Sequence, residues 1–129
     1  MRIGELAEAA GTTPKTLRFY EEVGLLPAPE RTSSGYRDYP QDTVARLHFI
    51  RRSRHAGLTL AQIRDILNLR DAGTAPCQHV QQLLAARLAE LDRQITDLQL
   101  LRATVAQLGH AAVVLEPATC DPASVCRYL

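Results

Sequence analysis

The sequence predicts a mainly α protein: a head of four short helices interrupted by one small β-hairpin, followed by a single long helix that pairs as a coiled coil. Three observations predict it. Apolar residues recur at three- and four-residue spacing through most of the chain. One stretch breaks that period, residues 26–40, LPAPERTSSGYRDYP, with three prolines, two serines and a glycine. Finally, no glycine or proline occurs between Cys77 and Leu108, whereas such breakers punctuate everything before Ala75.

The elements follow in order. Residues 3–10, IGELAEAA, place Ile3, Leu6, Ala7 and Ala10 on one stripe, and Gly11 ends the helix. Thr13 can cap the next helix with Pro14 at its first position, where a missing N–H costs nothing, and Gly24 can end it. That second helix carries Lys15, Arg18 and Tyr20 on a face that is not apolar. A short helix, a tight glycine turn and a second helix with a basic outer face make a helix-turn-helix pattern. Within residues 26–40, Ser34-Gly35 reads as a hairpin turn and Tyr36–Tyr39 as a short strand beyond it, a β-wing whose Arg37 and Tyr36 can reach phosphates. Residues 41–56 form a helix capped near Asp42, with Val44, Leu47 and Ile50 inward, Arg51, Arg52 and Arg54 crowding its end, and Gly57 terminating it. Residues 59–71 form another, capped by Thr59, with Leu60, Ile63, Ile66 and Leu67 inward and Gly73 after it.

From Ala75 the pattern changes. Val80, Leu84, Leu88, Leu91, Ile95, Leu98, Val105 and Leu108 recur at mostly alternating spacings of three and four, a heptad-like seam. Roughly 32 residues at 1.5 Å each span about 48 Å, more than a domain of this size can cover. The seam therefore predicts a two-stranded coiled coil and a homodimer. In the tail, Asp121 and Pro122 read as N-cap and first position of one last helical turn.

Composition narrows the function. The chain has 129 residues and a net charge of +1, but residues 1–70 hold 11 cations against 8 acids and residues 71–129 hold 4 against 6. Basic charge sits in the first half, a modest nucleic-acid signal. No apolar run approaches 18 residues, and the N-terminus carries two acids and no signal-peptide apolar region, so the expectation is a cytoplasmic protein without membrane partners. No Ser–His–Asp set, phosphate loop or carboxylate pair points to an enzyme.

Three cysteines in a reducing compartment point to metal or redox chemistry rather than a disulfide framework. Cys77 stands at the start of the long helix; Cys120 and Cys126 bracket a short polar loop containing Asp121. A helix starting at Pro122 would favour thiolates around it. Thiolates are soft ligands that select Zn, Cd, Hg, Pb or Cu(I). His79 and His110 could add a nitrogen ligand, and Cys120 with Cys126 could instead form a disulfide switch.

The stretches IGELAEAAGTTPKTLRFYEEVGLL at 3–26, GYRDY at 35–39, LHFIRRSRHAGLTLAQIRDIL at 47–67 and the long helix after 75 together resemble the MerR family of bacterial transcription regulators over nearly the whole chain. The resemblance implies a winged helix-turn-helix DNA-binding domain at 1–73, an antiparallel coiled-coil dimerisation helix at 74–110 and a C-terminal metal-binding loop with a short helix at 111–129. It implies that Lys15, Thr16, Arg18, Tyr20, Tyr36, Arg37 and Arg54 contact double-stranded promoter DNA. It implies that RNA polymerase is affected indirectly, through promoter DNA bent and untwisted when the effector binds, a deformation of about a few kcal/mol. It also implies an effector site built from Cys120, Cys126 and the residue at the start of the dimerisation helix of the other protomer. In the copper(I), silver and gold sensors that residue is serine; in the zinc, cadmium, lead and mercury sensors it is cysteine, and here it is Cys77. Three thiolates suit a soft divalent ion. The loop from Cys120 to Cys126 is shorter than in the family's copper and mercury members and lacks the double cysteine of some zinc sensors. A copper(I)- or silver-type sensor using Cys120 and Cys126 alone, or a thiol-redox regulator of the same fold, are the alternatives.

Overall fold

The structure, a computed structural model, describes residues 1–129. It divides into two compact units, Met1–Ala85 and Ala86–Leu129.

The first unit holds helices α1 (Ile3–Ala10), α2 (Pro14–Glu22), α3 (Thr43–His55) and α4 (Leu60–Asp71), the hairpin strands β1 (Glu30–Arg31) and β2 (Arg37–Asp38), and the start of α5 (Cys77–Val113). Leu6, Leu17, Leu25, Ile50, Ile63 and Ile66 are fully buried in one core to which each of the four short helices and the α2–β1 loop contribute. Leu6, Ile50, Ile63 and Ile66 are positions that the three-four spacing predicts, while Leu17 supplies the buried side of α2, for which the sequence named no inward residue. Between α1 and α2, Gly11 adopts φ +67°, a left-handed conformation that favours glycine, and its amide closes α1 onto Ala7 and Glu8.

Two local expectations need correction. The α3 entry is not capped by the Asp42 side chain, which makes no capping bond; the turn is closed instead by the Thr43 and Val44 amides donating to Pro40 and Gln41 carbonyls. The hairpin turn is wider than Ser34-Gly35: the Gly35 amide donates to Thr32 O, the Thr32 amide to Tyr36 O, and the strands pair Glu30 with Asp38 and Arg31 with Arg37. Thr59 caps α4 as expected, and Gln62 returns a second bond to the Thr59 amide, completing a capping box.

Helix α5 runs through Gly109 to Val113, beyond the Leu108 at which the unbroken sequence pattern stops, and none of its residues is buried. Its first apolar residues, Val80 and Leu83, pack on the head core rather than joining the seam. From Leu84 onward Leu88, Ile95, Leu98 and Val105 are each more than half exposed. No helix is long and apolar enough to cross a membrane.

Candidate nucleic-acid interface and thiol centre

Helix α2 is positioned from its first turn. Pro14 occupies N1, and Thr13 Oγ1 accepts the Thr16 amide at 3.2 Å. The Thr16 hydroxyl lies 3.1 Å from the Thr13 hydroxyl, so this half-buried side chain is engaged in the cap. Leu17 anchors the opposite side in the core. The solvent face consists of Lys15, Arg18, Phe19 and Glu22. Tyr20, expected on that face, is half-buried and turns toward α3. There it lines a groove of about 490 Å³ with Gly11, Thr12, Arg51, Arg54 and His55. Gly11 leaves room for the Arg51 guanidinium, whose Nη1 would stand 3.4 Å from a Cβ at that position. Three side chains that bond anions, Arg51, Arg54 and Tyr20, thus open onto one groove. Sequence reasoning assigns a role to Arg54 alone at this end of α3. Arg51, His55 and the exposed Phe19 are additions, and the packing between the glycine turn and the end of α3 is what reveals the first two.

The wing is held against α2 by a small polar network. Tyr39 is buried, and its hydroxyl donates to the Glu21 carboxylate. The same carboxylate lies 3.6 Å from Arg37 Nε. Burial, then the hydrogen bond and negative charge of Glu21, push the Tyr39 hydroxyl up to about 12. Arg37 is therefore partly neutralised from within rather than standing free on the wing, with about a third of its side chain left exposed. Tyr36 is exposed, and the Arg2 guanidinium lies 4.4 Å over its ring centroid. Arg31 Nη1 donates to Gly35 O at 2.8 Å and stiffens the hairpin tip.

The thiols lie at the start of α5 and in the segment that follows it. Cys77 is exposed at its first residue, and all three cysteines are free thiols. Cys120 follows a 3₁₀ turn, Pro117–Thr119, and is half-buried; Cys126 is exposed. The helical turn expected from Pro122 does not form. Asp121 Oδ1 accepts the Ala123 amide at 2.9 Å, a local side-chain turn that competes with helix. No helix N-terminus therefore acts on Cys120 or Cys126. The loop is instead closed by Arg127, which donates to Glu116 O at 2.7 Å, and by the Tyr128 hydroxyl, which donates to Leu115 O at 3.2 Å. Tyr128 is raised above its ordinary value by partial burial and by the neighbouring Cys120 thiol. His79 lines a shallow site with Asp65, Asn68, Leu69 and Ala72 of α4 and its C-terminus, and His110 is exposed on α5. Within one chain no three of the Cys, His, Asp and Glu side chains converge on a metal position.

Two family models match the chain: the MerR HTH family regulatory protein over residues 1–70, and the MerR DNA-binding region over residues 44–108. The mercuric resistance operon regulatory protein of Bacillus cereus is 44% identical over 98 residues, covering 76% of this chain and 74% of that protein. The transcriptional regulator HmrR of Rhizobium leguminosarum is 40% identical over 111 residues, covering 86% and 85%. Among solved structures, the transcription regulator PbrR691 from Ralstonia metallidurans, in complex with lead(II), superposes with a TM-score of 0.80 at 38% identity, covering 93% of this chain and 94% of that one. A basic α2 face beside a pinned wing, a long helix with a bare apolar seam and thiols on either side of it accompany these likenesses, and the chain belongs to the metal-responsive branch of the MerR family of helix-turn-helix transcription regulators.

Proposed function

We propose that this regulator acts in the cytoplasm as a homodimer that senses one soft divalent ion per site, among Hg, Zn, Cd and Pb. Cys120 and Cys126 of one protomer and Cys77 of the partner subunit would supply the three thiolates. Residues 1–73 bind promoter DNA, residues 74–110 pair the two copies antiparallel, and residues 111–129 hold the effector loop. The observation that carries this reading is Cys77: an exposed free thiol at the first residue of α5, where a two-coordinate copper(I)-type site needs none. Three thiolates carry −3 against a divalent +2, whereas the same set would overload a monovalent ion. Relatives named for mercury resistance and crystallised with lead(II) support the same class.

Metal binding would bias the dimer toward a conformation that bends and untwists the promoter and so presents it to RNA polymerase, a redistribution of about a few kcal/mol. Lys15, Arg18, Tyr36 and Arg37 hold the duplex at the major groove and its flank, and Thr16, Tyr20 and Arg54 complete the contact set, with Arg51 and His55 joining at the α3 groove.

The test is transcription from the cognate promoter across a metal panel. Cys120→Ser and Cys126→Ser abolish the response to every metal. Cys77→Ser removes the response to Hg, Zn, Cd and Pb. A wild type that answers copper or silver alone, with Cys77→Ser behaving normally, refutes the three-thiolate site. Because bound thiols must lose their protons, metal affinity falls as pH is lowered.

A further inference from the structure

We propose that Phe19 reads the C5-methyl group of a thymine in the major groove, and so helps set which operator the protein selects. The inference deepens the DNA-binding role of α2 and rests on it.

Only two large apolar side chains are exposed within residues 1–73, Phe19 at 44% and Tyr36 at 54%. Tyr36 has a hydroxyl and is covered by the Arg2 guanidinium. Phe19 has neither a polar tip nor such a cover; its ring neighbour is Tyr20, with centroids 6.1 Å apart and planes inclined at 45°. An apolar ring on a solvated cationic face gains free energy only when a partner removes it from water.

The geometry of α2 limits what that partner is. At about 100° per residue, Lys15, Arg18, Phe19 and Glu22 fall within a roughly 100° arc, opposite Leu17. All four are exposed and Leu17 is fully buried, as that arc requires. Phe19 thus shares its surface with the chain's only lysine and with an arginine, and whatever covers it is polyanionic. A B-form major groove admits a helix and presents one apolar group among its base edges, the thymine methyl. Glu22, on the same arc, would be repelled by a phosphate row but can accept from a cytosine amine. The carboxylate and the bare aromatic on this arc therefore fit base edges better than backbone, with the cations free to meet the flanking phosphates. An aromatic without donor or acceptor discriminates among those edges only by the methyl.

Deoxyuridine removes that methyl and nothing else. The probe is a duplex selected by the wild-type protein from a random-sequence library, with each thymine then replaced singly by deoxyuridine and affinity followed by fluorescence anisotropy. At one position per half-site the wild type loses about threefold to fivefold. Phe19→Ala binds the unmodified duplex more weakly and shows no further loss at that position, so the two changes do not add. Phe19→Leu, still apolar, retains part of the deoxyuridine penalty. The measurements are made at low salt, where phosphate contacts keep every variant bound. A misfolded head would weaken both duplexes alike, and Phe19→Leu, which keeps the apolar surface, separates loss of the ring's partner from loss of the fold. A wild type indifferent to deoxyuridine everywhere, or a Phe19→Ala variant that keeps the full penalty, overturns the assignment while leaving DNA binding intact. Failure to select any sequence from the library overturns the DNA-binding role itself.

Discussion

Arg46 is the clearest case of a residue whose role its neighbours in sequence do not announce. It is a long cation near the start of α3, yet its side chain is only 10% exposed. Nε donates to Leu25 O at 2.8 Å, and the other two nitrogens grip Asp71 at 3.0 and 3.1 Å. The bidentate bond and charge of Arg46 hold the Asp71 carboxyl below its ordinary range. A depressed carboxylate contributes stability that is present above the unfolded value, about 3.9, and is lost as pH falls through the lower folded one. Asp71→Asn should therefore lower stability by about 1 kcal/mol at neutral pH, Asp71 being half exposed. Thermal melts from pH 7 downward should show the gap between wild type and variant closing below about pH 4. Local sequence foretells Thr13 and Thr59 as caps because a cap is decided within three residues. It cannot foretell Arg46–Asp71 or Tyr39–Glu21, whose partners stand 25 and 18 residues apart and meet only once the helices have packed. Tyr20 escapes local reasoning for a related cause: a tyrosine is amphipathic, and only the neighbouring α3 decides which way its ring turns.

Among the elements, α5 is the one whose sequence and environment disagree most. Leu88, Ile95, Leu98 and Val105, each more than half exposed, form an apolar stripe along the helix. The seam is legible because heptad spacing survives any tertiary context. Its beginning is not, since Val80 and Leu83 continue the period but are claimed by the head core. The Cys120–Cys126 loop is legible in composition and not in form, because the Asp121 side chain offers its backbone a turn in place of a helix. Leu98→Asp, which sets a charge into the paired seam, should convert a dimer to monomer at micromolar concentration in sedimentation and abolish operator binding. The head, which buries its own core, should keep its thermal transition. A wild type that sediments as monomer would contradict the pairing assigned to this helix.

At the scale of the whole molecule, charge and symmetry act together. The excess of cations in residues 1–70 is small, so DNA affinity depends on where they sit rather than on how many there are. A dimer presents each basic side chain twice. Arg18→Ala should therefore reduce the slope of log affinity against log salt by close to two, about 0.9 for each phosphate left without its arginine, one in each half-site. A change of about one would mean that a single head is engaged, and no change would mean that Arg18 faces no phosphate. The relation needs no knowledge of the operator, only titrations at several salt concentrations. The basic excess of the first half, the breakers and the cysteine positions are readable from a single chain, whereas a pairing of two copies is a property of no single chain.

The connection between α4 and α5 has a mechanical consequence. Five residues separate Asp71 from Cys77. The amides of Ala72, Gly73 and Thr74 are bound back to Asn68, Arg70 and Leu69, and Pro76 has a fixed φ while its carbonyl accepts the Val80 amide. That leaves Ala75 as the one residue with slack. A connector so taut behaves as a rigid coupling and not as a tether. A displacement of Cys77 is thus linked through few free torsions to the end of α4, where the Asp71 carboxylate is bonded to Arg46 of α3. Lengthening this coupling by two glycines should leave the proposed thiol ligands and DNA-facing side chains unchanged and disengage one set from the other; metal titration and operator binding would each persist, while metal would no longer alter transcription from the promoter.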